Sequence, residues 1–324
     1  MATQHVAARR GSALLFAALS AVALITGGGH VQSARAAEPL EMTEVAPGIH
    51  VHHGVHQAWS AHNAGNVANL GFILGSRCVA VIDTGGSPAL GERLLAALRR
   101  VTPLPVCYVI NTHMHPDHVL GNVALAREVP RPEFVGHVRL GPSLSARAPY
   151  YLEAFRRESG QALAPETVVY PTQTVAESAT LDLGGRTLQL KAWPTAHTDN
   201  DLTVYDVRTG TLFTGDLLFI DHLPVIDGQL RGWLKVIAEF KTLEVQRAVP
   251  GHGRTTTDLR RAIAPEETYL STVLAEVRAA IKAGVPISRT LDELAGTGTA
   301  GWKLVDEFHR RNLTAAYAEL EWED

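Results

Sequence analysis

The sequence predicts an α/β fold, because buried strands and an amphipathic helix alternate in its first half. The apolar run "VAVID" at 79–83 is typical of a strand buried on both faces. Residues 87–101, "SPALGERLLAALRRV", have helical periodicity, with Ser87 as the N-cap and Pro88 in the first turn. A second buried strand, "PVCYVINTH" at 105–113, follows that helix. This spacing predicts a right-handed parallel crossover.

The other elements are expected on both sides of this unit. Strands are expected at 49–55 and 69–85, joined by a polar loop at about 56–66, and a helix opens at "DHVLGNVALARE". Later elements are a helix "APYYLEAFRRES" within 142–165, a Gly-Gly hairpin at 178–197, a hairpin at 201–216, a short strand at 244–253 and helices around 265–283 and 302–320.

A single domain over residues 37–324 is the simplest interpretation, because no low-complexity linker or internal repeat divides it. Its motif core covers about 45–255, and a helical tail covers about 256–324. Two structurally similar halves would also be compatible with the pattern.

The first 36 residues have the order of a secretory signal. A basic start precedes the apolar segment 13–29, and small residues stand at Ala34 and Ala36, so we expect cleavage after Ala36. The alternative is a membrane anchor, but the apolar run has only about fifteen residues before a triple glycine, and spanning needs roughly 20. We therefore expect a periplasmic protein. The pair Arg9-Arg10 leaves the export route, Sec or Tat, open.

Charge argues against nucleic acid as a partner. The formal net charge of −4 becomes −7 without residues 1–36, which hold three arginines and no acidic residue. The chain has no basic run or stripe, and no later apolar stretch is long enough for a stable membrane span. A small-molecule substrate is the expected partner.

The two cysteines could lie side by side. Cys78 and Cys107 each stand five residues before a motif end, Asp83 and Thr112, so level parallel strands would make them neighbours. Export would permit a disulfide. Two buried free thiols are the other possibility, because bridging geometry between parallel strands is often poor.

The segment "HMHPDH" at 113–118 is the strongest functional signal. His113 and His115 are two residues apart, so both point to one side of an extended segment. Pro116 ends that segment, and Asp117 and His118 fall at the start of a helix, where α/β proteins bind ligands. Imidazoles and a carboxylate that converge there suit zinc.

Three further candidates stand at predicted strand ends. They are His197 after "LKAWPTA", Asp216 in "TLFTGD" and His252 in "VPGHG". Each would reach the same rim of a sheet, and the complete set is too large for one tetrahedral zinc but fits two.

These motifs resemble those of the metallo-β-lactamase-fold hydrolase superfamily. "IDTG" (82–85), "THMHPDH" (112–118), "AH" (196–197), "GD" (215–216) and "GH" (251–252) match it over about residues 45–255. The resemblance implies an αββα sandwich with a zinc site at one edge. It also implies ligand roles: His113, His115 and His197 for one zinc, Asp117, His118 and His252 for the second, Asp216 as the bridge, and Asp83 as a group that orients a ligand.

Longer strings resemble exported zinc metallohydrolases of quinoprotein relay systems. They include "NTHMHPDHVLGN", "DHLPVIDGQLRGWL" and "RRNLTAAYAELEWE". This likeness implies a periplasmic quinoprotein dehydrogenase system as a partner. Class B β-lactamases fit less well, because many have cysteine or serine where Asp216 stands, no lysine follows until Lys235, and the tail is long.

The expected chemistry is hydrolysis of an ester, thioester or amide-type bond by a metal-activated hydroxide. Asp117 would hold the hydroxide's proton, and Asp216 would bridge the two ions. Asp117 and Asp216 are therefore the candidate catalytic residues. The alternatives are a β-lactamase, a thiol-linked or sulfur-metabolising hydrolase with iron in place of two Zn²⁺, and a non-catalytic maturation or binding factor for a periplasmic quinoprotein.

Two histidines are candidates for the substrate pocket. His56 belongs to the histidine-rich segment 50–63, and His222 follows Asp216 by six residues. Each could instead be a solvated or structural residue. Tyr150 and Tyr151 are interpreted as packing aromatics, on a helix whose aromatic residues could pack under or over a pocket.

Overall fold

The computed structural model describes residues 38–323, and these residues lie within one compact unit. The predicted signal peptide, residues 1–36, lies outside the described residues. Among residues 38–323 no helix is both long enough and apolar enough to cross a membrane.

Twelve strands and eight α-helices alternate along the described part of the chain. The strands are β1 (Thr43–Ala46), β2 (Ile49–His52), β3 (Leu70–Leu74), β4 (Val79–Ile82), β5 (Val106–Ile110), β6 (Glu133–His137), β7 (Gln173–Val175), β8 (Ser178–Asp182), β9 (Thr187–Ala192), β10 (Leu202–Asp206), β11 (Thr211–Phe219) and β12 (Arg247–His252). The helices are α1 (Pro88–Val101), α2 (Pro116–Val119), α3 (Asn122–Leu125), α4 (Leu140–Ser159), α5 (Leu230–Phe240), α6 (Leu259–Lys282), α7 (Ile287–Glu293) and α8 (Val305–Leu320), with a 3₁₀ turn at Pro165–Thr167.

The strands form two mixed sheets. The first has the order β1-β2-β3-β4-β5-β6-β7, antiparallel up to β4 and parallel from β4 to β7. The second has the order β12-β11-β10-β9-β8, in which β11 and β12 are parallel and the other neighbours antiparallel. The parallel pairs β4–β5 and β5–β6 confirm the predicted crossover pattern.

Alternation along the strands produces four layers. In β4, Val79 and Val81 pack against α1, whereas Ala80 and Ile82 point into the core between the two sheets. The outer face of the second sheet packs against α5, α6 and α8, with Trp233 fully buried there. This is the predicted αββα sandwich. The helical tail belongs to its core, because α6 and α8 contribute buried side chains to the same cluster as α5.

Several predicted boundaries were wrong. The predicted strand at 69–85 is the hairpin β3–β4, whose turn is closed by the bond from the Gly75 amide to the Cys78 carbonyl (2.9 Å). The helix predicted after Asp117 is two short helices, α2 and α3, separated at Gly121. A side chain at Gly121 would collide with the Thr84 carbonyl, so only glycine fits at this position.

Two helices begin earlier than the sequence suggested. Helix α4 begins at Leu140 and α6 at Leu259, so Pro149 and Pro265 lie inside helices instead of near their starts. An interior proline removes a backbone hydrogen bond, and tertiary packing has to offset that loss. Helix α5 was not predicted at all.

A disulfide joins Cys78 to Cys107, with a Cα–Cα distance of 5.7 Å. It connects the beginning of β4 to β5, which run parallel. The cysteines are therefore neighbours, as the spacing predicted, and they are bonded and not free.

Candidate metal centre

Seven predicted ligand side chains lie together where strands of both sheets end. Their chain positions are the loop after β5, helix α2, the loop after β9, strand β11 and the end of β12. In that order the side chains are His113 and His115, Asp117 and His118, His197, Asp216, and His252. Parallel strands deliver their carboxyl ends to one rim, which explains why residues far apart in sequence meet here.

Asp216 is placed differently from the prediction. Strand β11 does not end there but continues to Phe219, and its register with β12 shifts around Gly215. Gly215 has a φ of +54°, a left-handed conformation that glycine adopts without strain. Directly after this irregularity, the Asp216 carboxylate lies within 3.4 Å of His118, His197 and His252.

The side chains form two groups that could each hold a metal ion. The first ligand group is His113, His115, His197 and Asp216, and the second ligand group is Asp117, His118 and His252, each with donor atoms within 4.8 Å of one another. Asp216 lies between them. Its Oδ2 is 3.4 Å from His197 Nε2 and 3.3 Å from His252 Nε2, and its Oδ1 is 3.3 Å from His118 Nε2.

The other ring nitrogen of each histidine has a hydrogen-bond partner. The five pairs are His113 Nδ1 with Thr112 Oγ1 (3.1 Å), His115 Nε2 with Asp227 Oδ2 (3.0 Å), His118 Nδ1 with Asp83 Oδ2 (2.8 Å), His197 Nδ1 with the Val225 carbonyl (2.7 Å) and His252 Nδ1 with the Val67 carbonyl (2.9 Å). Such bonds fix the ring orientation and leave the inner nitrogen unprotonated for a metal.

Asp83, to which the resemblance assigns the orientation of a ligand, contacts the predicted ligand His118. Besides the His118 ring, it accepts hydrogen bonds from the Thr112 amide (2.8 Å) and the Thr112 hydroxyl (2.7 Å). The backbone at Asp83 has a φ of +55°. A buried non-glycine residue in this conformation carries strain that the surrounding contacts must offset.

The donor set fits divalent cations. His113 Nε2, His118 Nε2 and Asp216 Oδ1 are buried and have no hydrogen-bond partner among residues 38–323. Such atoms are costly unless something binds them. Imidazole nitrogens with carboxylate oxygens suit zinc, iron and similar metals.

The ionisable ligand side chains affect one another. Burial lowers the pKa of His252, but Asp216 and Asp117 outweigh this effect and raise it to about 9, so a metal ion has to displace that proton. Burial alone would raise the pKa of Asp216, but the nearby His252 and His118 hold it well below its usual range. Burial lowers the pKa of His197 to about 3, which keeps that imidazole neutral and able to bind metal.

A cavity of ≈ 320 Å³ opens above the ligand groups. The metal side of its lining includes His115, Asp117, Asp216 and His252. Helices α4 and α8 supply another part of the lining with Arg147, Tyr151, Phe155, Phe308 and Arg311. A cavity of this size, mostly apolar with a few polar groups, is typical of a small-molecule site.

The two predicted pocket histidines are placed differently. His222 lines the cavity, and its ring centroid is 4.7 Å from that of His252. His56 lies further out: its ring is 6.4 Å from His222, and its Nδ1 accepts a hydrogen bond from Lys303 Nζ (3.0 Å).

Both tyrosines line the cavity, which packing alone would not require. Tyr151 also packs in the cluster around Leu144, so its interpretation as a packing residue was incomplete. Tyr150 is 63% exposed and lies at the mouth.

Sequence reasoning missed Asp227, Arg147 and Arg311. Asp227 Oδ2 bonds to His115, and Asp227 Oδ1 lies 3.3 Å from Arg147 Nη2 and 3.4 Å from Arg311 Nη2. No ligand-type spacing marks these residues, because their contacts depend on how α4, α8 and the loop before α5 pack together.

Known proteins resemble this chain in sequence and in structure. A linear primary-alkylsulfatase from Pseudomonas sp. (strain ATCC 19151) is 23% identical over 210 residues, which are 54% of this chain and 39% of that protein. A metallo-beta-lactamase from Pontibacter korlensis superposes with a TM-score of 0.58 at 19% identity, covering 72% of this chain and 99% of that one. The stereoselective inverting sec-alkylsulfatase Pisa1 from Pseudomonas sp. superposes with a TM-score of 0.67 at 15% identity, covering 88% of this chain and 51% of that one.

At these identities the structural likeness shows the fold alone. This chain spans about half the length of that sec-alkylsulfatase and 39% of the curated relative. The family model of the metallo-beta-lactamase superfamily matches residues 64–252, more than half of the 324 residues. The chain therefore belongs to the metallo-beta-lactamase superfamily.

Proposed function

We propose that this protein is a metal-dependent hydrolase that uses two divalent ions, with zinc as the expected metal and iron as the alternative. One observation carries the proposal: two complete ligand groups with Asp216 between them line an open cavity. Structural metal sites are closed by protein ligands, whereas catalytic sites keep a position for water or substrate.

The chain's own residues have distinct roles in this proposal. The first and second ligand groups would hold one ion each, with Asp216 between them as the shared ligand. Asp117 is 17% exposed on the cavity side, so it can hold the proton of the attacking water as well as bind metal. Ions bound there lower the pKa of water towards about 7 and polarise the bond that is attacked.

The substrate bond is proposed to be an ester, thioester or amide-type bond of a small molecule. Sulfate esters are a second candidate, because two of the similar proteins are named as alkylsulfatases. A β-lactamase is less well supported. In many β-lactamases a lysine holds the drug's carboxylate, and the lining of this cavity contains no lysine among residues 38–323. Lys235 is exposed on α5, and the cations that line the cavity among residues 38–323 are arginines.

We also propose a periplasmic location and a role beside a quinoprotein dehydrogenase system. The signal-like order of residues 1–36 supports the location, and the disulfide between Cys78 and Cys107 suits an oxidising compartment. The sequence segments that resemble metallohydrolases of quinoprotein relay systems support the role. A non-catalytic maturation factor for such a dehydrogenase is the competing role. Co-purification with a dehydrogenase without hydrolysis of any substrate would favour that role.

The test combines elemental analysis of the purified protein with a hydrolase panel of esters, thioesters, alkyl sulfates and nitrocefin. We expect two divalent ions per chain and hydrolysis that a chelator abolishes and added metal restores. A protein that binds no metal, or whose hydrolysis survives complete metal removal, would refute the proposal.

A further inference from the structure

The part of the cavity lining that α4 and α8 supply has features that metal binding does not explain. We call Arg147 and Tyr151 of α4 with Arg311 of α8 the outer wall. The two arginines are 164 residues apart in sequence, yet both approach the same oxygen, Asp227 Oδ1, at 3.3 and 3.4 Å. The other Asp227 oxygen is occupied by His115 Nε2.

The arginines keep most of their hydrogen-bonding capacity. A guanidinium has five N–H donors in a planar fork, and each of these contacts uses one nitrogen. The side chains are 43% and 51% exposed, and both line the cavity. Two guanidinium groups share one carboxylate, so Asp227 neutralises only one of their two positive charges.

Tyr151 provides an independent observation. Its side chain is 5% exposed and lines the cavity, and its hydroxyl is buried without a hydrogen-bond partner among the described residues 38–323. Burial raises its pKa, and Asp227 adds to this effect, so the phenol keeps its proton and can donate it in a hydrogen bond. A buried hydroxyl normally has a partner, and the Tyr151 hydroxyl has none although its residue lines the cavity.

The charge of the whole cavity favours an anion. Apart from the metal ligands, the lining holds three arginines and three carboxylates: Arg147, Arg157, Arg311, Glu158, Asp227 and Glu307. These balance. Two bound divalent ions would bring four positive charges against three negative ones, those of Asp117, Asp216 and the metal-activated hydroxide, so the loaded cavity would keep an excess of positive charge. Such a field attracts anionic ligands and repels cationic ones.

The rest of the lining suits an apolar body. Trp59 and Phe155 have ring centroids 5.2 Å apart, and Phe308 stacks on His222 at 5.2 Å. Leu120 and Phe219 continue this surface towards the ligand groups. Aromatic surfaces of this kind bind apolar groups of small ligands.

We propose that the outer wall binds an acidic group of the substrate, so that the substrate is an organic anion with an apolar body. Arg147, Arg311 and the Tyr151 hydroxyl hold the acidic group, and the aromatic side chains hold the apolar body. The proposal rests on the proposed function, because it names the substrate class of the same cavity.

Binding of two matched probes, octanoate and 1-octanol, tests this proposal on the metal-loaded full chain by titration calorimetry. We expect octanoate to bind at least about tenfold more tightly than octanol. The variant Arg147→Gln/Arg311→Gln should weaken octanoate binding by about tenfold or more, since it removes charge-assisted hydrogen bonds. Octanol binding should change by less than about twofold.

Two further variants make the result specific. Tyr151→Phe keeps the ring and its packing, so it should weaken octanoate binding by roughly threefold to tenfold even if the double variant does not fold. The matched control is Arg156→Gln on the same helix, where Arg156 bonds to Glu153 on the exposed surface. It should bind octanoate as the unaltered chain does.

Octanoate affinity that the double variant and Tyr151→Phe leave unchanged overturns the proposal. An equal loss of octanoate and octanol binding also overturns it, because that pattern reports lost packing. Metal content and hydrolysis are measured on the same samples. If the protein holds metal and hydrolyses substrate but does not prefer octanoate, only the proposal that the outer wall binds an acidic group is refuted. If it holds no metal and hydrolyses nothing, the proposed function is refuted.

Discussion

The two sides of the cavity are built from different kinds of structure. The metal side is made of strand ends and the loops directly after them, and four of its seven ligands fall within the six residues 113–118. The outer wall is made of two helices whose arginines are 164 residues apart and which meet through Asp227. More than half of the metal ligands are therefore encoded in one short segment, whereas the proposed recognition of the substrate depends on helix packing.

The largest expected effect is on the metal side. Asp216→Ala removes the carboxylate shared by both ligand groups, so we expect loss of at least one ion and a fall in kcat of about a thousandfold or more. Elemental analysis and steady-state kinetics measure both. The matched control is Asp292→Ala, which removes a 71% exposed carboxylate on α7. A variant at Asp216 with two ions and full activity would show that the bridge is misassigned.

Asp83→Asn tests whether the metal side depends on its supporting bonds. The change keeps the shape but weakens the acceptor for His118 Nδ1–H and for both Thr112 donors. We expect metal affinity at the second ligand group to fall by about 10–100-fold. Competition with a chelator measures it. Affinity equal to that of the unaltered chain would mean that the ring is held by packing alone.

Asn312→Ala tests the outer wall without touching a ligand. Asn312 Nδ2 donates to the Pro224 carbonyl (2.6 Å), and its Oδ1 accepts from the Ile226 amide (2.9 Å), so it fixes the loop that carries Asp227. Loss of these buried bonds should lower the free energy of unfolding by about 2 kcal/mol, measured by urea denaturation. Thr314→Ala on the same helix is the control.

The same variant separates the two sides functionally. We expect Asn312→Ala to raise KM by more than it lowers metal affinity at the first ligand group, whose His197 and His115 also bond to this loop. Loss of metal, with KM unchanged, would contradict the separation between metal side and outer wall.

Asp227→Asn acts on both sides at once, and its expected effect is the smallest. It weakens the acceptor for His115 Nε2–H and removes the charge that both arginines share. We expect metal affinity at the first ligand group to fall by about tenfold. Because two arginines lose their counter-charge, octanoate should bind at least as tightly as before. Weaker octanoate binding in a metal-loaded sample would show that Asp227 itself positions the anion.

Much of the metal side was predictable because its signals are short. The segment 113–118 contains a strand exit, a proline and a helix start, and this order alone orients three histidines and one aspartate. The position of Asp216 within β11 was not predictable, since the register shift at Gly215 depends on β12. Asp83 was recognised only through its motif, because its role requires the neighbouring strand β5.

The outer wall was not predictable for a physical reason. Helix α4 begins nine residues before Pro149, where local rules favour a start close to the proline, and α6 begins six residues before Pro265. The packing that tolerates these prolines also decides which side chains face the cavity. Tyr151 shows the consequence, because periodicity predicts that it is buried but not what its hydroxyl faces.

The most direct test of the account is anomalous X-ray diffraction from crystals of the purified protein, recorded at the zinc and iron absorption edges. We predict two peaks on opposite sides of Asp216, one among His113, His115 and His197 and the other among Asp117, His118 and His252. Crystals of active protein that show no peak at these residues, or metal bound elsewhere, would contradict the central claim.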